Sequence, residues 1–363
     1  MRQTRDDKFP VIPVLMPGCE NLPAGFLQLL TWVDLSKAVS VLQQPDSLAL
    51  LRAALRGEAI AAPPIRAQVC PYKGLEPFRE EDAPFFCGRD DAVRELAAQV
   101  RANDFVVVVG PSGSGKSSLV FAGLLPVLRQ ERQTRTWDVV SLRPGKSPLF
   151  NLAEAFGSPA ENAGPAQVVT YLENEAKAYR EGSADLLAHV VDRRLDAAPE
   201  SSDRLLIYVD QWEELYAMAP PTEDKDGVEK HAGDVEKFIE LLVAASAKAG
   251  ASVALTVRAD FYNPLIRNPS LSALLPRQQV NIKPMRSEEI RSAIETPAKK
   301  VRLSFAPPKL VDQILNDIGT QEGRLPLLQF ALKEVWEGRE ENTLTASSAR
   351  SSNSSPSRRF AFW

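Results

Sequence analysis

At 363 residues the chain has room for two or three domains, and 44% hydrophobic with 25% charged residues marks it as globular, neither fibrous nor disordered overall. A formal charge of -4 offers no global attraction to nucleic acid. Three widely spaced cysteines (Cys19, Cys70, Cys87) form no C-x-x-C pair, which argues against a disulfide framework or a structural zinc site and fits a reducing cytosol. No apolar run approaches the roughly 20 residues that cross a bilayer, so a cytoplasmic protein is the expectation.

Residues 9–16 (FPVIPVLM) predict a short strand closed by Pro17-Gly18, and TWVDL a second apolar stretch. From Ser47 an amphipathic helix follows, with Leu48, Leu51 and Leu55 on one side. So few elements cannot close a core, so residues 1–60 read as the back part of a domain. Residues 61–71, with the Pro63-Pro64 pair, form a linker.

From 72 to 282 apolar runs alternate with amphipathic helices, the pattern of a parallel sheet with helical crossovers. FVVVVG (105–110) is a continuous β-branched run, as a strand buried on both faces requires. Further strands are predicted at 137–142, 205–210, 252–257 and 279–282, with two helices in 166–195 and one over 234–249. The acidic stretch 222–227 reads as a solvated loop, and His189 and His231 as structural residues. After Lys283 the strands stop and a helical domain (283–340) follows, its first helix capped by Ser287 with Glu288 and Glu289 in the first turn. Residues 341–363, rich in Ser and Arg, carry no apolar period and are expected to be disordered.

Chemistry concentrates in GPSGSGKSS, which fits G-x-x-x-x-G-K-[ST] between a buried strand and a helix. Gly110, Pro111, Ser112, Gly113, Ser114 and Gly115 form a loop whose N–H groups converge on phosphate oxygens. Lys116 reaches the β- and γ-phosphates, Ser117 holds magnesium through its hydroxyl, and Ser118 closes the motif. LLIYVDQWEEL places Asp210 at a strand end, where a magnesium-orienting carboxylate belongs. Of Glu213 and Glu214, one positions the attacking water and the other is a solvated charge. Residue 211 is Gln, which can orient water but cannot take its proton, so hydrolysis is expected to be slow. Arg258 ends the next strand, and it faces the γ-phosphate if that strand lies between the other two.

In order along the chain, CPYKGLEPFREEDAPFFCGRDDAV, GPSGSGKSSLVFAGLLPVL, SLRPGKSPL, YVDQWEELY, TVRADFYNPL and EGRLPLLQFALKEVW resemble the STAND class of P-loop ATPases, in particular the novel STAND NTPase 1 group. The resemblance runs from about Cys70 to Trp336. It implies an α/β P-loop NTPase domain followed by a small helical domain. It also implies that Phe86, Gly88 and Arg89 lie against adenine, with backbone at Gly88 touching the base; that Arg258 senses the γ-phosphate; and that Pro326 covers the nucleotide. RPG at 143–145 reads as structural, its Arg a weak site candidate. The first 60 residues resemble the end of a flavodoxin-like TIR domain, without the stretch that carries a TIR NAD-cleaving glutamate. Relatives continue into repeats that sense a ligand or protein partner, and the last residues depart from that pattern.

These readings imply ATP or ADP with Mg2+ as ligands, self-association on activation, and no membrane or nucleic-acid partner. The leading function is a slow signalling switch. A cycling AAA-like remodelling ATPase and a truncated nucleotide-binding product without output stand beside it.

Overall fold

The computed structural model describes residues 14–15, 33–34, 69–130, 136–160, 162–197, 203–248, 250–275, 278–318 and 323–345. Of the expected N-terminal fragment only β1 (Val14–Leu15) and β2 (Val33–Asp34) are described, as a parallel pair. The helix expected from Ser47, most of the linker and residues 346–363 lie outside the described residues.

The central sheet contains β3 (Phe105–Gly110), β4 (Trp137–Leu142), β5 (Arg204–Val209), β6 (Ala251–Arg258) and β7 (Gln279–Asn281). All pairings are parallel, in the order β4-β5-β6-β3-β7. Parallel strands need crossovers, and the intervening helices cover both faces. Successive side chains of β3 point to opposite faces. Val107 and Val109 join Ile207, Val253 and Leu255 under helices Pro148–Phe156, Pro165–Glu181, Leu186–Ala197 and Lys225–Ser246. Val106 and Val108 join Tyr208 and Ala254 under helix Asp90–Ala102 and the helix that starts at Lys116. This is why FVVVVG shows no alternation: both faces are apolar.

A third core binds the helical region together. Helices Ser287–Lys300, Leu310–Ile318 and Arg324–Glu337 meet through Ile294, Ile314 and Leu332. Tyr72, Phe78 and Phe85 are buried in that same core, so the segment before the first sheet strand packs on the helical domain. Tyr72 donates its hydroxyl to Ile294 O at 2.8 Å, and Phe78 N donates to Ser118 Oγ at 3.1 Å, on the sheet side. The segment is therefore a strap across both parts. Full burial of a side chain such as Tyr72 stabilises by about 2 kcal/mol.

Four local expectations are corrected. The strands do not stop at Lys283: β8 (Ser304–Ala306) pairs in parallel with β9 (Thr343–Thr345). Residues 343–345 are accordingly not a structureless tail; Leu344 is fully buried in the helical-domain core, a non-local contact that a three-residue strand cannot announce by periodicity. The acidic stretch 222–227 runs into a helix, because Asp224 caps it by accepting from Gly227 N at 3.0 Å. Arg286, not Ser287, takes the N-cap position, its N–H donating to Glu289 Oε2 at 2.6 Å.

Candidate functional site

In a parallel sheet the strands' carboxyl ends gather at one edge, and connecting loops meet there. β3 runs into Pro111, β4 into Arg143, β5 into Asp210, and β6 ends on Arg258. β6 lies between β3 and β5, the arrangement that puts Arg258 beside the glycine-rich loop.

The loop turns on glycines: Gly113 (φ +70°) and Gly115 (φ +87°) are left-handed, conformations that L side chains disfavour. A Cβ at Gly113 would lie 2.9 Å from Pro326 Cγ, so its absence lets the helical domain touch the loop. Ser114 Oγ is buried with no hydrogen-bond partner, and the space beside Gly115 is open. Lys116 is 8% exposed and donates to Gly110 O and Pro111 O, both at 2.9 Å. Burial pulls its ammonium below the ordinary lysine value, while Glu213 and Asp210 act in the opposite sense.

Asp210 is almost fully buried. Its Oδ1 accepts from Ser117 Oγ (2.7 Å), Tyr208 OH (2.8 Å) and Thr256 Oγ1 (2.8 Å). Burial raises the Tyr208 phenol well above its usual range, with the Asp210 charge adding to this, so it stays a donor. Asp210 Oδ2 faces Arg143, at 3.3 Å from Nε and 3.2 Å from Nη2. Gln211 adopts a left-handed backbone (φ 58°), a conformation that costs a non-glycine residue about 1 kcal/mol or more. Its N–H donates to Thr256 Oγ1 at 3.0 Å, and its amide, suitably oriented, bridges Arg143 and Glu214 at 3.0 Å each.

The two glutamates separate. Glu213 lines the cavity and accepts from Arg258 N at 3.2 Å. Glu214 turns away to accept from Gly145 N at 3.1 Å, its carboxyl raised by burial. It is half-buried and outside the cavity lining, held to the turn after β4 by that bond. Arg258 lines the cavity at its strand end, yet its guanidinium pairs with Asp260 (3.1 and 2.6 Å) over the Phe261 ring.

Ser117, Arg143, Gln211, Glu213, Thr256 and Arg258 border a cavity of about 410 Å³, with Asp210 held behind them and not on its wall. One end is polar, with Ser112, Lys116, Ser117, Arg143, Glu213 and Arg258. The other is apolar, with Phe85, Phe86, Met285, Leu325 and Leu328, and Pro326, which lies against Gly113, also lines the cavity. Cys87 sits at the apolar end, its thiol raised by burial. Gly88 does not line it. A Cβ there would lie 2.2 Å from Glu289 O, so that glycine serves close approach of helix Ser287–Lys300. Arg89 does line it, but its donors go to Ser114 O (3.0 Å) and Lys283 O (2.8 Å), tying loop to domain boundary.

Sequence reasoning undervalued Arg143 and assigned no site role to the strap residues Gly74 to Phe78, which also border the cavity. The position of Arg143 directly after β4 was the available signal, since the ends of β3, β5 and β6 each carry a candidate site residue.

A cavity lined by aromatic and aliphatic side chains together with a glycine-rich loop, hydroxyls and cationic groups suits a nucleotide. The orphaned Ser114 hydroxyl and the open space at Gly115 fit a phosphate in the loop. Ser117 and Asp210 supply one hydroxyl and one carboxylate. Among the described residues no cluster of three or more His, Cys, Asp or Glu forms a metal cage. Hard oxygen donors that few in number fit Mg2+, which keeps its waters and binds through substrate phosphates.

Sheet order, loop and strand-end carboxylate define a P-loop NTPase fold. The chain belongs to the Novel STAND NTPase 1 family, which it matches over residues 71–353. A search of curated proteins finds no match. Among solved structures the chain is similar to a Walker-type ATPase of Pyrococcus abyssi (16% identity, 72% of this chain and 71% of that one, TM-score 0.47). It is also similar to the Orc1 protein of Aeropyrum pernix in complex with DNA (16%, 75% and 66%, TM-score 0.48). A third likeness is to domain III of the replication initiation protein DnaA of Thermotoga maritima (14%, 72% and 89%, TM-score 0.40). Among the described residues no helix is long and apolar enough to cross a membrane.

Proposed function

We propose that the chain binds ATP with Mg2+ in this cavity and acts as a slow signalling switch, its occupancy setting the angle between sheet domain and helical domain. The observation that carries the reading is the shared cavity: Gly113 of the loop and Pro326 of the helical domain lie against each other and both line it, so one ligand there would touch both parts. A ligand shifts such an equilibrium only by its differential affinity for the two arrangements.

In this reading the N–H groups of the loop hold the phosphates, and Lys116 leaves the Gly110 and Pro111 carbonyls for the β- and γ-phosphates. Bound Mg2+ supplies charge neutralisation of the phosphate oxygens, and Ser117 and Asp210 would hold it. Arg258 exchanges Asp260 for the γ-phosphate. Glu213 orients the attacking water, and Gln211 contributes no base, which supports slow turnover. Phe86 and Arg89 border the base end, and adenine is expected there.

The test is scattering and size-exclusion chromatography with light scattering on the full chain, without nucleotide, with ADP, and with a non-hydrolysable ATP analogue plus Mg2+. A change in dimensions or self-association between ADP and analogue is expected. Identical dimensions and mass in all three states would defeat the switch. Turnover much faster than a few per minute would favour a cycling remodelling ATPase.

A further inference from the structure

Asp210 has a cationic partner whose role the reading above does not use. Arg143 brings both Nε and Nη2 to the single oxygen Oδ2, at 3.3 and 3.2 Å. Charge-assisted pairs are ordinarily shorter, about 2.7–2.9 Å. The chain contains such a pair for comparison: Arg180 holds Asp234 with one nitrogen per oxygen, at 2.6 and 2.7 Å. The Arg143 side chain stays 46% exposed and borders the cavity, whereas the Asp210 side chain is 3% exposed. A buried carboxylate therefore depends on a loosely held, solvent-facing arginine.

The backbone under that arginine is fixed. Asn151 Nδ2 donates to Arg143 O and Pro144 O at 3.0 Å each, and Gly145 N donates to Glu214. Only the side chain has freedom, with Gln211 as its neutral second partner. Lys116, the other nearby cation, is engaged by two loop carbonyls.

We propose that Arg143 is a displaceable counter-cation. It neutralises Asp210 when no divalent metal is present, and a metal–nucleotide complex drives it off the carboxylate into the cavity. The chain thereby retains nucleoside diphosphate without metal. The physical reason is that a buried carboxylate beside phosphate repels it unless neutralised, and that two cations at one carboxylate repel each other. Arg143 is a positioning residue in this scheme, and the proposal rests on the nucleotide reading of the cavity.

The experiment is calorimetric titration of the full chain with ADP, in Mg2+ and in chelator, for wild type, R143Q and R143K. In wild type the two affinities should lie within about tenfold of each other. R143Q should widen that ratio by at least about tenfold, through weaker metal-free binding. R143K, which keeps the charge, should restore the wild-type ratio. Equal ratios in wild type and R143Q would overturn the proposal, as would an R143K ratio matching R143Q. Should R143Q fail to fold, the ratios of R143K and wild type decide: a widened R143K ratio overturns it. Wild type that binds ADP under neither condition would instead defeat the nucleotide reading, and this proposal with it.

Discussion

Gly113→Ala separates two effects that the structure places on one residue. The first is backbone: φ +70° is left-handed, and an alanine there costs about 1 kcal/mol. That term belongs to the loop itself, so it should lower the thermal midpoint by only about 1–2 °C in a chain of this size. The second is steric. The new methyl would sit 2.9 Å from Pro326 Cγ, and overpacking of this kind costs about 1–3 kcal/mol. Swinging the helical domain away relieves it, so it should appear as a weaker closed state. Nucleotide affinity would then fall by about 5- to 150-fold. Calorimetric affinities for wild type, G113A, P326A and the double variant form the assay. P326A alone removes cover from the cavity and should weaken binding, yet in the G113A background it should strengthen it. That reversal of sign amounts to a coupling of at least about 1 kcal/mol. Additive effects of the two substitutions would refute the idea that loop and helical domain meet at this contact to control closure.

Lys116→Ala removes the one loop cation and should weaken ATP binding by at least about a hundredfold, since hydrogen bonds to charged groups contribute about 1.5–3 kcal/mol apart from the Coulomb attraction; unchanged calorimetric affinity would dismiss the site. Asp260→Ala frees Arg258 from its exposed pair and should raise affinity for an ATP analogue over ADP by a few-fold, about what an exposed ion pair contributes; an unaltered ratio of the two affinities would argue that Arg258 does not reach the γ-phosphate. Tyr72→Phe deletes the buried bond to Ile294 O and should destabilise by about 1 kcal/mol in denaturant titration; a variant as stable as wild type would mean that this bond adds nothing to how the strap is held.

The fold was largely legible because its sheet is parallel and buried on both faces. Such strands are written as nearly continuous apolar runs, as in β3, β5 and β6, whereas the edge strand β4 carries Asp138 and Ser141. The boundaries were less so: Asp224 and Arg286 show that a cap is chosen by which backbone N–H it meets, and residue preference only inclines the choice. The strand pair β8–β9 was invisible, since three residues on each side depend on a partner nearly forty positions away. At the site the pattern Gly110 to Ser118, Asp210 and Arg258 stands out in the sequence, because phosphate chemistry constrains residue type as well as spacing, and the sheet gathers these residues at one edge.

What the amino-acid order determines by itself is thus the loop, the strands that carry it and the family they belong to, all encoded in local runs whose residue types have few substitutes. What only tertiary structure decides is which neighbours those residues meet. Glu213 and Glu214 are adjacent and chemically identical, yet one faces the cavity and the other caps the turn after β4. Gly88, singled out by resemblance alone, lies where helix Ser287–Lys300 approaches so closely that a Cβ would meet Glu289 O. Arg143 looked structural and faces the most buried carboxylate of the site. Each outcome depends on strands and helices distant in sequence arriving at one edge of the sheet, and no local pattern records that arrival.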